Sequence, residues 1–295
     1  MKISTRFLAT AFLCCATAVA AVAAATNFTY NGIRFRTADG KTCEVTSPAS
    51  GKTYAGDIVV PATASSSNYA DMPVVGVRSS AFSDCDELTS VELPASVISI
   101  GDYAFQYCYK LASIKMPGVQ TIGHWAFSNC TALASVDLPE GLRSIGNFCF
   151  DKAPFTEIVL PSTLTNIGGY AFEGNSYEDG APKVTKVICK AVTPPAIKKG
   201  YIDGEEIYTI FEDTNYGTTE LYVPEASVNE YKSSLGWHYF KTVKPIESAG
   251  IDDIVMDDAD APAIYYDILG RKVENPERGN IYIVRKGNRT YKAIF

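Results

Sequence analysis

Apolar residues in this chain follow a frame that is neither the period of a helix nor that of a strand. The stretches AFSDCDELTSVELP, AFQYCYKLASIKMP and AFSNCTALASVDLP, opening at Ala81, Ala104 and Ala126, align without a gap. Each starts on Ala-Phe, continues through Cys and Leu to two alternating apolar residues, and closes on Pro. CFDKAPFTEIVLP, opening at Cys149, repeats the frame with one residue missing. Between frames stand the short apolar runs VISIG, VQTIG, LRSIG and LTNIG. Phe82, Phe105, Phe127, Phe150 and Phe172 therefore recur every 22–23 residues. An insertion, SYEDGAP, then interrupts the frame, which resumes as KVTKVICK and, in a sixth unit, as IFEDTNYGTTELYVP.

Such a period is the mark of a solenoid. One unit cannot bury its own apolar face, and stacked neighbours make a continuous core. The pairs Val91/Leu93 and Ile114/Met116 predict one short strand per unit with those side chains inward. Pro94, Pro117, Pro139 and Pro161 end it, because Pro has no N–H for a continuing ladder. The Ile-Gly segment turns the chain. The Ala-Phe stretch is expected to form one short helical turn whose Phe fills the coil, so the five phenylalanines form the expected structural core.

Cys85, Cys108 and Cys130 share one frame position and stand in a column with that core. Neighbouring strands lie about 4.8 Å apart, inside the Cα range of a disulfide. In-register side chains point the same way, however, and hold their Cβ atoms farther apart than a disulfide prefers. The column reads as free, buried thiols acting as small apolar fillers. A disulfide pairing and a structural zinc are the alternatives; the zinc would want a CxxC pair, which the chain lacks.

The stretches IGDYAFQYCYKLASIKMPGVQTIG and IGHWAFSNCTALASVDLPEGLRSIG resemble the BspA-like class of leucine-rich repeat, and the resemblance covers about residues 75–245. It implies a β-rich α/β solenoid: a right-handed superhelix of about six coils with short helical turns, capped at both ends. Residues 26–74, a set of short strands with Gly and Pro turns, are the expected N-terminal β cap. Residues 75–246 are the solenoid with its C-terminal cap. The class is typically found on cell surfaces, binding host matrix proteins or other cells. The resemblance thus implies an exported, non-enzymatic recognition or adhesion protein with protein partners, extracellular matrix among them.

Composition narrows this picture. Net charge is −7, which argues against a nucleic-acid partner. Lys2 and Arg6, an Ala- and Leu-rich run, and small residues at Ala23 and Ala25 read as a signal peptide over 1–25. No later stretch has the length of a membrane helix, so no integral span is expected after cleavage, and the cell surface or exterior is the expected location, with the periplasm as fallback. With only two histidines, a His-rich metal site is excluded. His124 and His238 lack a motif-placed triad partner. The carboxylate clusters in YIDGEEIYTIFED and DDIVMDDAD lack the spacing of a calcium loop. No catalytic residue, cofactor site or metal site is expected.

Two sets of residues are candidates for binding. Tyr103, Trp125, Phe148 and Tyr170 precede the Ala-Phe position, with Tyr107 nearby. They form either an exposed aromatic ladder able to stack on sugar rings, or spacers half-buried between coils. The outward strand positions Glu92, Lys115, Asp137 and Tyr222 vary on a regular frame, as a binding surface requires and as an unconstrained solvent face also shows. A glycan-binding module is therefore the alternative to protein recognition.

After Ile246 the composition turns acidic over 247–260, which reads as a linker. Residues 261–295 alternate apolar positions between turn signals and predict a small β tail of three or four strands. YYDILGRKVENP and GNIYIVRKG within it resemble the C-terminal sorting-type tails of Bacteroidetes exported proteins, a resemblance that implies surface delivery.

Overall fold

The protein is described from a computed structural model, over residues 25–174, 183–202, 205–211 and 216–246 and the C-terminal strands 263–266, 272–273, 281–286 and 289–294. The expected leader (all but its last residue), the SYEDGAP insertion and the acidic linker lie outside the described residues. The chain divides into two compact units, 1–246 and 247–295.

The first unit is a solenoid of parallel strands, with coils one to five counted here by Phe82, Phe105, Phe127, Phe150 and Phe172. The Ile-Gly segments, expected only to turn the chain, lay down short strands that pair in parallel, Ser99–Ile100, Thr121–Ile122, Ser144–Ile145 and Asn166–Gly168, and Ala196–Lys198 extends the same ladder. The ladder continues back through Met72–Val77 and Cys43–Val45 into the antiparallel strands Ile33–Thr37 and Thr26–Tyr30. Glycine is required in this column by close approach. A Cβ on Gly123 or Gly146 would enter the backbone of the preceding coil, at Gly101–Asp102 and at Gly123–His124 respectively.

The core is a stack of rings. Centroids of Phe82, Phe105, Phe127, Phe150 and Phe172 follow one another at 4.8, 5.0, 5.2 and 5.2 Å with nearly parallel planes. All five are buried, as are the inward strand residues Val91, Leu93, Ile114, Met116, Ile158 and Leu160.

The Ala-Phe stretches are not helical, and the expectation of a helical turn in each coil is corrected. Among the described residues the single α-helix is Val228–Ser233, after the last repeat. Instead, N–H groups of Tyr103, Phe105 and Tyr107 donate to the carbonyls of His124, Ala126 and Ser128 in the next coil. Those of Trp125, Phe127 and Asn129 do the same to Asn147, Cys149 and Asp151. A helix would close its hydrogen bonds within the segment; here alternate peptide groups point along the solenoid axis. That orientation needs left-handed backbone at two non-glycine residues per coil, such as Tyr103 (φ 58°) and Tyr107 (φ 61°), or Trp125 (φ 57°) and Asn129 (φ 61°).

A second departure concerns the strand face. Gly56–Val59, Leu88–Glu92 and Ser113–Lys115 form a three-stranded parallel sheet, and Glu157–Leu160, Lys186–Cys189, Glu220–Val223 and Thr242–Pro245 form another. Between them, the expected strand of coil three is missing. Coil four is the one short of a residue ahead of its strand. It seats Phe155, rather than a leucine, against Phe150 and Phe172. The segment at Ser135–Leu138 pairs with neither neighbour.

In the second unit Lys272–Val273, Ala263–Tyr266, Ile281–Lys286 and Arg289–Ile294 form an antiparallel sheet in that order.

Candidate functional site

On the strand face the frame brings Glu92, Lys115 and Asp137 together. They form the charged mouth of a pocket of about 300 Å³ whose wall is Leu93, Ile114, Met116, Pro117 and Pro139. Lys115 Nζ lies 3.2 Å from Glu92 Oε2, and both side chains are exposed. Asp137 is exposed and makes no ion pair or hydrogen bond.

Tyr222, expected on the same face, is placed differently. It is only 6% exposed, with Lys186 and Lys244 over its ring at 5.5 and 5.7 Å. Its hydroxyl donates to Glu220 Oε2 at 2.6 Å, and Lys244 Nζ donates to Glu220 Oε1 at 2.7 Å. These hydrogen bonds hold the Glu220 carboxyl below its ordinary range and raise the Tyr222 phenol. The register sets Lys244 directly opposite Tyr222 on one neighbouring strand, and Lys186 opposite Glu220 on the other, which brings both lysines beside the ring. Tyr222 is therefore a structural centre and not a free contact residue.

The aromatic column is also corrected in part. Trp125 stacks on Phe148 at 4.2 Å with planes 9° apart, and Phe148 meets Tyr170 edge-on at 5.8 Å. Phe148 is 8% exposed, and Trp125 and Tyr170 are half-buried. These three are packing between coils. Tyr103 and Tyr107 do face solvent, joined by Tyr109, whose ring lies 6.1 Å from that of Tyr107.

The six cysteines among the described residues are all free and buried. Cys108 and Cys130 are more than fillers: their thiols donate to the carbonyls of Phe82 (3.0 Å) and Phe105 (3.2 Å) in the preceding coil. Burial pushes both thiols far above the ordinary thiol range. Nucleophilic and metal-binding chemistry runs through the thiolate, so this column is chemically quiet. Among the described residues no group of three or more His, Cys, Asp or Glu is placed to hold a metal.

Sequence reasoning missed a polar ladder just after each Ile-Gly. Asp102 Oδ1 accepts the His124 N–H at 2.7 Å, His124 Nδ1 accepts the Asn147 N–H at 2.8 Å, and Asn147 Oδ1 accepts the Gly169 N–H at 2.9 Å. His124 is thus a structural acceptor with its Nδ1 unprotonated. The fixed frame position shared by Asp102, His124 and Asn147 was the available signal. His238 Nδ1 lies 3.1 Å from the Ser234 carbonyl, outside any catalytic grouping.

Residues 69–179 match the family model of the BspA type leucine rich repeat region in six copies. That stretch is a BspA-type leucine-rich repeat region. Among solved structures, a leucine rich repeat protein of T. pallidum is 32% identical, covering 52% of this chain and 65% of its own, with a TM-score of 0.43. The chain thus spans just under two thirds of that protein. A leucine-rich repeat protein of Bacteroides ovatus is 20% identical, covering 74% of this chain and 67% of its own, with a TM-score of 0.46. A leucine rich cell surface protein of Faecalibacterium prausnitzii is 17% identical, covering 74% and 72%, with a TM-score of 0.39. No curated protein matches the chain significantly.

Proposed function

We propose that this chain is an exported, non-enzymatic recognition or adhesion protein of the cell surface, and that it binds other proteins through the strand face of its solenoid. The observation carrying this reading is the cluster of Glu92, Lys115 and Asp137 around one pocket, on a frame whose other positions are fixed by packing. The six described cysteines are buried, with their thiols raised by that burial, and the histidines serve backbone hydrogen bonds, so among the described residues the side chains best suited to catalysis are already engaged. The reading includes a right-handed winding of about six coils closed by a cap at each end, a cleaved leader, and surface delivery through the C-terminal tail.

Glycan capture is the second reading, favoured by the exposed tyrosines Tyr103, Tyr107 and Tyr109 on one coil. Aromatic faces of this kind stack on sugar rings. Residues 26–295 are applied to immobilised matrix proteins and to a glycan array. Binding to matrix proteins that survives Tyr103→Ala but falls on Asp137→Lys supports protein recognition. Glycan binding lost with Tyr103→Ala supports the second reading. No binding in either assay defeats both. Fractionation of cells carrying a chain ended at Glu247 tests the tail: unchanged surface exposure removes its role in delivery.

A further inference from the structure

From Ser135 to Leu138 no backbone N–H or carbonyl makes a hydrogen bond among the described residues. Folded proteins leave few such groups unpaired. The segment lies at the surface: Ser135 and Asp137 are exposed, and Val136 and Leu138 are half-buried. The strand Ser113–Lys115 ends its three-stranded sheet on this side. A strand in a parallel sheet shares its peptide groups between two neighbours, so those that face coil three also lack a ladder partner. The 300 Å³ pocket opens at the same place, with Leu93, Ile114 and Met116 as an apolar floor and Asp137 as an unengaged carboxylate at its mouth.

We propose that this broken rung is a docking site for an extended peptide segment of a partner protein. The segment runs its backbone along Ser135–Leu138, seats one apolar side chain in the pocket, and places a Lys or Arg against Asp137. The proposal rests on the protein-recognition reading and gives it a place and a chemistry. A row of backbone donors and acceptors at strand spacing is what another extended backbone satisfies, with alternate side chains supplying specificity. A sugar would instead want an aromatic platform, and no ring lines the pocket. The pocket is at the small end of ligand sites, which suits one side chain. Glu92 is engaged by Lys115, so Asp137 is the carboxylate left to choose a cation.

The test pans residues 26–295 against a displayed library of linear heptapeptides and measures the enriched peptides by calorimetry and amide exchange. Expected are peptides with Lys or Arg near an apolar residue, weakened about tenfold by Asp137→Lys. In the free chain the amides of Val136, Asp137 and Leu138 should exchange freely, while those of Val91 and Ile158 are protected; bound peptide should slow the first three about tenfold or more. A variant with one alanine inserted after Lys152, which restores the coil-four spacing, should protect those amides without peptide and lose the binding. Protection of Val136–Leu138 in the free chain overturns the proposal. So does a library that yields no binder, or binders indifferent to Asp137→Lys. Matrix-protein binding that survives Asp137→Lys overturns this site and leaves the recognition reading standing. Absence of binding to any matrix protein or peptide overturns both.

Discussion

Two coils of the solenoid each lack one residue, and the fold meets the two losses differently. Coil two is shortened between Pro117 and Ile122, where PGVQTIG stands against PASVISIG of coil one. Its Ile-Gly strand still pairs on both sides. Coil four is shortened between Phe150 and Ile158, and there the strand face loses a rung at Ser135–Leu138. The first deletion falls in a turn, where Gly118 lets the chain pass against the Ala95 carbonyl, a place a Cβ would fill. The second falls in the run leading straight into a strand, with Pro154 and the large Phe155 in it. A turn with glycine absorbs a lost residue; a stretch committed to the core passes the loss to its neighbour.

The stack between the two sides should be the most sensitive point. Phe127→Ala leaves a cavity between Phe105 and Phe150, and its stability in urea should fall by about 3–5 kcal/mol. A loss no larger than that of an exposed residue would mean the stack does not couple the two sides. Next is Gly118→Val, which should cost about 1–3 kcal/mol by driving a side chain into Ala95. The same change at Gly141, with nothing near its Cβ but a φ of 115°, separates crowding from backbone strain.

The cysteine column comes third. Cys108→Ala removes the donor to Phe82 and should cost about 1 kcal/mol from the lost hydrogen bond, with a further loss from the vacated volume. The buried thiols also set a pH dependence. Burial pushes Cys189 from 9.0 up to about 11, as it does Cys43. A raised folded value means that unfolded thiols ionise first as pH rises. Their stabilisation is therefore complete below about pH 9 and is lost towards 11, readable as a falling urea midpoint. Alkylation by iodoacetamide at pH 8 should be negligible until the chain unfolds. The smallest effect is expected on the polar ladder. His124→Ala should cost about 0.5–1.5 kcal/mol, and His124→Asn, which keeps an acceptor as Asn147 does, should recover most of it.

Much of this was legible in the sequence because the frame is written at repeat spacing. The Phe stack and the buried thiols follow from period and polarity alone, whereas the Ile-Gly segments, expected only to turn the chain, carry a parallel ladder of their own. The Ala-Phe turns were misread because apolar spacing carries no sign of φ: Tyr103 and Trp125 have none of the glycine that usually announces a left-handed residue. Tyr222 looked outward by alternation, and it is, but Lys244, directly opposite it on one neighbouring strand, and Lys186, two residues from its partner Ile188 on the other, close over it. The missing rung was present in the sequence as one absent residue in coil four. Its effect appeared one coil earlier, because register is a property of pairs.

The peptide columns of the Ala-Phe turns have an electrical consequence. The amide between Asp102 and Tyr103 donates to the one between His124 and Trp125, which donates to the one between Asn147 and Phe148, and that to Gly169. In this file of turn amides each N–H points toward the C-terminal end and each carbonyl toward the N-terminal end. Aligned peptide dipoles add as they do in a helix, and hydrogen-bonded chains polarise one another. The turn face thus behaves as a bar with its positive pole at the last coil, a polarity fixed by the backbone and untouched by any exchange of surface charge.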